Sequence, residues 1–213
     1  YKDGLSIANT NRVGTATPSV AEGNVALSSI HRFSGIVDER GNFQENWPYD
    51  DEKKTFSETS FMFDGKNLFN IRGHRSDGGL YLYGFDKNGG LLDNFPVEIK
   101  KEEGFEAVSL LRQVGLIKEG DKSFLGVLSG FYNNFQESNG KLFFDIYSED
   151  GELVKRTLLS DDSLKEVSYR GLSFASADLN GDGNSEIAVG YMVFDLGSYY
   201  DDGAYNLSTY KSY

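Results

Sequence analysis

Self-similarity constrains this chain more than any other feature. Val37-Asp38-Glu39-Arg40-Gly41 runs on to Asn46-Trp47-Pro48, and Phe85-Asp86-Lys87-Asn88-Gly89 runs on to Asn94-Phe95-Pro96 at the same offset. A third stretch, Tyr147-Ser148-Glu149-Asp150-Gly151-Glu152-Leu153-Val154, has the same opening. Each is an apolar strand, a polar turn holding a glycine, and a second strand, which is the pattern of a β-hairpin. A second kind of hairpin alternates with the first. Its fullest copy is Phe174 to Gly190, and worn copies fall at 57–73 around Asp64-Gly65, at 109–130 around Lys118 to Lys122, and at 17–29 around Ala21 to Asn24. A chain written as repeated hairpins is to be read as a repeat architecture before anything else.

Composition agrees with short strands and many turns. The 213 residues include 25 Gly and only 3 Pro, with 13 Tyr and 16 Phe. That mixture favours pleated, half-buried segments joined by tight turns. No apolar run approaches the ~20 residues a membrane-spanning helix needs. With 21 Lys+Arg against 33 Asp+Glu the formal charge is −12, the wrong sign for a nucleic-acid footprint. There is no cysteine, so neither a disulfide nor a thiolate metal site is available. The chain begins at Tyr1 rather than Met and shows no signal-peptide pattern, as expected of a mature or trimmed form. Residues 160–170 are expected to be a short helix or a polar loop between repeats.

The loop of the fullest copy carries chemistry. Asp178, Asn180, Asp182 and Glu186 place side-chain oxygens at positions 1, 3, 5 and 9, and Gly183 stands at position 6, where the chain must turn. Calcium takes about six to eight oxygens at ~2.3–2.6 Å, from carboxylates and main-chain carbonyls together. The Asn184 carbonyl, at position 7, is the natural fifth ligand. An EF-hand is excluded, because position 12 is Val189 and the residues after the loop alternate like a strand. A plain Asx/Gly turn with no metal is the competing reading, since Asp, Asn and Gly favour turns by themselves. The worn copies lack most of the ligands, so the expectation is a single Ca2+.

A strand, a D-x-N-x-D-G-x-x-E loop and a second strand over residues 172–191 resemble the FG-GAP or VCBS-type repeat of integrin α-like β-propellers. The sequence departs from that pattern at Glu186, where Asp is commoner. The "Asp-x-x-Gly … Phe-Pro" stretches likewise resemble the outer hairpin of such blades. The resemblance implies an all-β fold, a single β-propeller domain over 1–213 with blades at about 11–50, 51–100, 101–160 and 161–213. Residues 1–10 would complete the last blade as an added strand, because the two ends of the chain read as complementary parts of one sheet. Pairing the ends would remove exposed strand edges. A fragment of a six- to eight-bladed ring is the alternative.

The connections between the second and third strands of each unit are unusual for their polar and aromatic residues. They hold His31 and Arg32, then Arg72, His74 and Arg75, then Tyr132 and Phe135, then Tyr199 and Tyr200. Aromatic faces with fixed hydrogen-bonding groups suit a sugar ring or a protein partner. Solvated loops of no function are the bland reading of the same residues. No nucleophile-elbow, zinc-protease or phosphate-loop pattern occurs, and the Asp pairs are adjacent in sequence, which suits acid/base work poorly. The expected function is a secreted, periplasmic or cell-surface module that binds a glycan or protein, with calcium structural rather than catalytic. A glycan-degrading enzyme, a polysaccharide lyase or glycosidase, is the alternative; it would require His31, His74, Arg32, Arg72 and Arg75 to converge.

Overall fold

The computed structural model describes residues 19–21, 24–28, 33–38, 40, 42–44, 47, 49–50, 55–74, 79–105, 107–108, 113–132, 140–160, 167–195 and 207–212. Every element named in them is a strand. The chain divides into two compact units, Tyr1–Ile99 and Lys100–Tyr213, each with two antiparallel sheets.

In the first unit, β1 (Ser19–Ala21), β2 (Asn24–Ser28), β3 (Phe33–Val37) and β4 (Tyr49–Asp50) pair in chain order. Then β5 (Thr55–Phe63), β6 (Asn67–His74), β7 (Leu80–Asp86) and β8 (Val97–Glu98) make a second four-stranded meander. The two sheets share a core of Ile36, Trp47, Phe63, Leu68, Tyr83 and Phe85. Trp47 meets Phe85 edge-on at 5.6 Å between ring centroids, and its Nε1–H donates to the Lys87 carbonyl at 3.0 Å. An indole buries a large apolar surface, and its one donor is satisfied by this bond.

In the second unit, β9 (Ala107–Val108), β10 (Gln113–Glu119), β11 (Lys122–Tyr132), β12 (Lys141–Ser148) and β13 (Leu153–Leu158) form one sheet. Phe131 pairs with Val108 on one side and Lys141 on the other, so β9 and β10 lie end to end along one edge of β11. The last sheet is β14 (Val167–Ala177), β15 (Glu186–Asp195) and β16 (Leu207–Ser212). Val167–Arg170 opens β14 as strand, where a helix or loop was expected, because these residues pair with Met192–Asp195 of β15. The expected pairing of residues 1–10 with this sheet lies outside the described residues.

The repeated outer hairpin is visible at the level of single bonds. Asp38 Oδ1 accepts from the amides of Arg40 and Asn42, and Asp86 Oδ1 accepts from those of Asn88 and Gly90. Ser148 Oγ accepts from Glu152 N–H in the third copy. The main chain closes each turn alike: Asp38 to Asn42, Asp86 to Gly90 and Ser148 to Glu152, at 2.8–2.9 Å. Gly89 and Gly151 sit at φ of 84° and 85°, a region L side chains avoid, so these two glycines are required by their turns.

The sheets of the second unit pack through Ile117, Leu128, Leu142, Phe144, Phe174 and Val189. Phe174 on β14 lies so close over β10 that a Cβ at Gly115 would stand 2.7 Å from its Cζ. The side-chain amide of Gln113 pairs with both the N–H and the carbonyl of Phe174, and Ser176 Oγ donates to the Leu116 carbonyl. These bonds bring the loop that follows β14 alongside the end of β10.

Candidate metal centre

The candidate loop leaves β14 after Ala177, which pairs with Glu186 at the start of β15. The strand pair sets the two ends of the loop. Gly181 and Gly183 bend it at φ of 80° and 88°. Residues 178–184 are exposed.

Asp178 holds the loop from within. Its Oδ1 accepts from Gly181 N–H at 2.6 Å and Asp182 N–H at 3.2 Å, and its Oδ2 accepts from Gly183 N–H at 2.9 Å. Those amides, Gly183 foremost, keep its carboxyl below the usual aspartate range. Asn180 Oδ1 takes Asp182 N–H, and Asp182 Oδ1 takes Asn184 N–H. Glu186 reaches back across the loop, with Oε2 2.7 Å from Leu179 N–H. The Asn180 amide NH2 bridges two carboxylates, 3.3 Å from Asp182 Oδ2 and 2.9 Å from Glu186 Oε1.

This donor set suits a hard cation in its chemistry. The side chains of Asp182 and Glu186 come within reach of one small group, and Asn180 carries an oxygen on the same amide that makes the bridge. Among the described residues no three Asp, Glu or His side chains make a metal cage by themselves. Asp178 accepts hydrogen bonds from the amides of its own loop with both oxygens. Carboxylates alone therefore do not complete a site here, and Asn180 with the Asn184 carbonyl would be required.

The loop also rests on its neighbour. Gly120 N–H, in the turn between β10 and β11, is 3.1 Å from both the Gly183 carbonyl and Asn184 Oδ1. Ser185 N–H donates to the Lys118 carbonyl at 2.8 Å, and Lys118 N–H donates to Ser185 Oγ at 3.0 Å. In the sequence, 118–122 is only a worn copy of the loop. Its partnership with 183–185 had no local signal beyond the glycine at 120.

Residues 170–206 match the family model of the FG-GAP repeat. The FG-GAP match thus spans most of β14, the whole loop and all of β15. No curated protein sequence matches the chain.

The expected ligand face fares differently. Arg72 and His74 are not on an exposed loop: both lie in β6, with 0% and 7% of their surface exposed. The strand runs on through His74, which pairs with Thr55, and His74 N–H donates to the Gly79 carbonyl. The His74 ring stacks on Tyr81 at 4.0 Å, and its Nε2 is 2.6 Å from Tyr83 Oη. The Arg72 guanidinium lies over the rings of Tyr83 and Phe85, at 5.1 and 5.5 Å. Tyr132 ends β11, but its side chain lies outside the described residues, as do His31, Arg32, Arg75, Phe135, Tyr199 and Tyr200. Among the described residues no helix is long and apolar enough to cross a membrane.

Proposed function

We propose that this chain is a calcium-stapled recognition module, secreted, periplasmic or at a cell surface, that presents loops to a glycan or protein. The observation that carries this reading is a coincidence of position. The FG-GAP match falls on the loop in which positions 1, 3, 5 and 9 all carry side-chain oxygens. Asp178, Asn180, Asp182, Glu186 and the Asn184 carbonyl would hold the ion, which neutralises carboxylates otherwise brought together at a cost. Its task is structural. It would secure the β14–β15 turn and take no part in chemistry.

The succession of antiparallel meanders along the chain supports a propeller, most simply a closed ring of four blades at about 11–50, 51–100, 101–160 and 161–213, with residues 1–10 in the last; a fragment of a larger ring is the alternative. Extracellular calcium sites work at ~10⁻⁴–10⁻³ M, so a loop of modest affinity suits a location outside the cytosol. FG-GAP repeats are found in extracellular adhesion proteins, which is why we place the ligand among glycans and proteins. The glycan-degrading alternative draws nothing from the described members of its constellation, since Arg72 is buried and His74 is committed to Tyr83.

Two measurements on the full chain test the reading. Calorimetric titration with calcium should show one saturable site that Asp182→Ala removes. A glycan array and a surface-protein pull-down, each with and without calcium, should retain a specific ligand. Absence of saturable calcium binding sinks the metal assignment, and absence of any retained ligand sinks the recognition role.

A further inference from the structure

We propose that Asn184 and Ser185 are positioning residues of the cation loop, and that the β10–β11 turn forms the second half of the site by holding them. The proposal rests on the calcium reading above.

The β10–β11 hairpin ends with Glu119 paired to Lys122, leaving Gly120 and Asp121 as a two-residue turn. Gly120 has φ of 59°, as the first residue of such a turn requires when it is glycine. In this geometry the flanking pair bonds across the hairpin and the amide of the first turn residue points away from it. That donor needs a partner, and it is shared between the Gly183 carbonyl and Asn184 Oδ1, at 3.1 Å each. Lys118 pairs with Ser123 one step further along, where an antiparallel ladder turns N–H and carbonyl outward. Both groups are taken by Ser185: its N–H bonds the Lys118 carbonyl, and its Oγ accepts from Lys118 N–H.

Loop positions 6, 7 and 8 thus lie against the end of β10, where Asn184 and Glu119 form an isolated antiparallel bridge, while positions 1, 3, 5 and 9 carry the side-chain ligands. Position 7 matters most. The Ser185 N–H and the Asn184 carbonyl belong to one planar trans peptide, so fixing the N–H on Lys118 aims that carbonyl away from β10. This is the main-chain oxygen the ion would use. The Asn184 side chain is therefore an anchor and not a ligand, and the turn that lacks most ligands serves the neighbour that carries them.

Coupling of this kind is reciprocal: a contact that favours the cation-bound loop is itself strengthened when the cation binds. Hydrogen exchange on the full chain should show the Gly120 and Ser185 amides slowed by calcium. The double variant Asn184→Ala/Ser185→Ala keeps every ligand atom and deletes only the anchoring side chains. Its calcium Kd, by calorimetry, should rise at least about fivefold. Asn184→Asp with Ser185→Thr keeps both acceptors and should restore it, and far-UV circular dichroism should show both variants folded. If wild-type protein binds calcium but the alanine variant binds with the same Kd, or Gly120 exchange ignores calcium, the positioning role is overturned and the calcium site stands. If wild-type protein binds no calcium, the site itself is wrong and this inference goes with it.

Discussion

Arg156 grips Asp145 through two parallel hydrogen bonds, Nε to Oδ1 at 2.8 Å and Nη2 to Oδ2 at 2.7 Å. Asp145 is completely buried on β12, and Arg156 reaches it from β13 with its guanidinium 5.2 Å from the Phe143 ring centroid. The same Nη2 donates to the Lys100 carbonyl at 3.0 Å, so one side chain ties the start of this unit to its sheet. The bonds to Asp145 push the Arg156 pKa further up, so the guanidinium stays charged at every ordinary pH.

Removing one partner strands the other. Arg156→Leu leaves a buried carboxylate unpaired, at a cost of about 3–5 kcal/mol. Replacing both, Asp145→Leu with Arg156→Leu, should cost less than Arg156→Leu alone. Urea unfolding of the single and double variants checks this. A single-variant loss below about 1 kcal/mol would contradict the pairing.

Phe174 is the hinge of packing between β10 and β14. It is buried over Gly115 and meets Phe144 edge-on at 5.1 Å. Phe174→Ala should cost about 3–5 kcal/mol. Gly115→Ala forces a methyl against the ring and should cost about 1–3 kcal/mol. In a Phe174→Leu background the Gly115→Ala penalty should shrink, since the clash is with the ring. Equal penalties in both backgrounds would show that the close approach is not what demands glycine.

Acid should act on Asp178. The amides of Gly183, then Gly181 and Asp182, favour its carboxylate, so its folded pKa lies below 3.8. A carboxyl depressed on folding adds stability above its unfolded pKa and surrenders it as pH falls through the folded value. The loss therefore begins near pH 4, by about the ordinary aspartate pKa, and deepens below it. Asp38, held down chiefly by the Asn42 amide, acts in the same window. Thermal melts in EDTA between about pH 2 and pH 5 should show a shallower acid decline for Asp178→Asn than for wild type. Superimposable declines would argue against the amide cradle.

Calcium withdrawal should lower the melting temperature. A ligand at about 100 times its Kd adds ~2.7 kcal/mol, which for a chain of this size is about 5–10 °C. Scanning calorimetry with calcium and with excess EDTA gives the shift, and Asp182→Ala should melt alike in both. A wild-type melting temperature indifferent to EDTA would leave the loop an ordinary turn.

How far the sequence is legible depends on how local the physics is. The outer hairpins at Asp38, Asp86 and Ser148 were readable because each turn is closed by residues within four positions of its start. The 178–186 loop was readable for the same reason: its glycines, its Asx bonds and its strand pair all lie inside it. Arg72 and His74 lie in buried strand and not in a loop, although a run of polar residues resembles a loop until its neighbours are known. Tyr81, Tyr83 and Phe85 cover them from the next strand and convert that polar run into buried strand.

By itself, then, the order of residues determined the repeated hairpins, where the turns at Asp38, Asp86, Ser148 and 178–186 fall, and which loop carries the oxygen donors. Only tertiary structure decided that the Gly120 turn would hold Asn184 and Ser185, that Gln113 would pair with Phe174, and that Arg72 would be buried. Those outcomes require backbone and side-chain groups from separate strands to meet, and a sequence lists its residues without the distances between them.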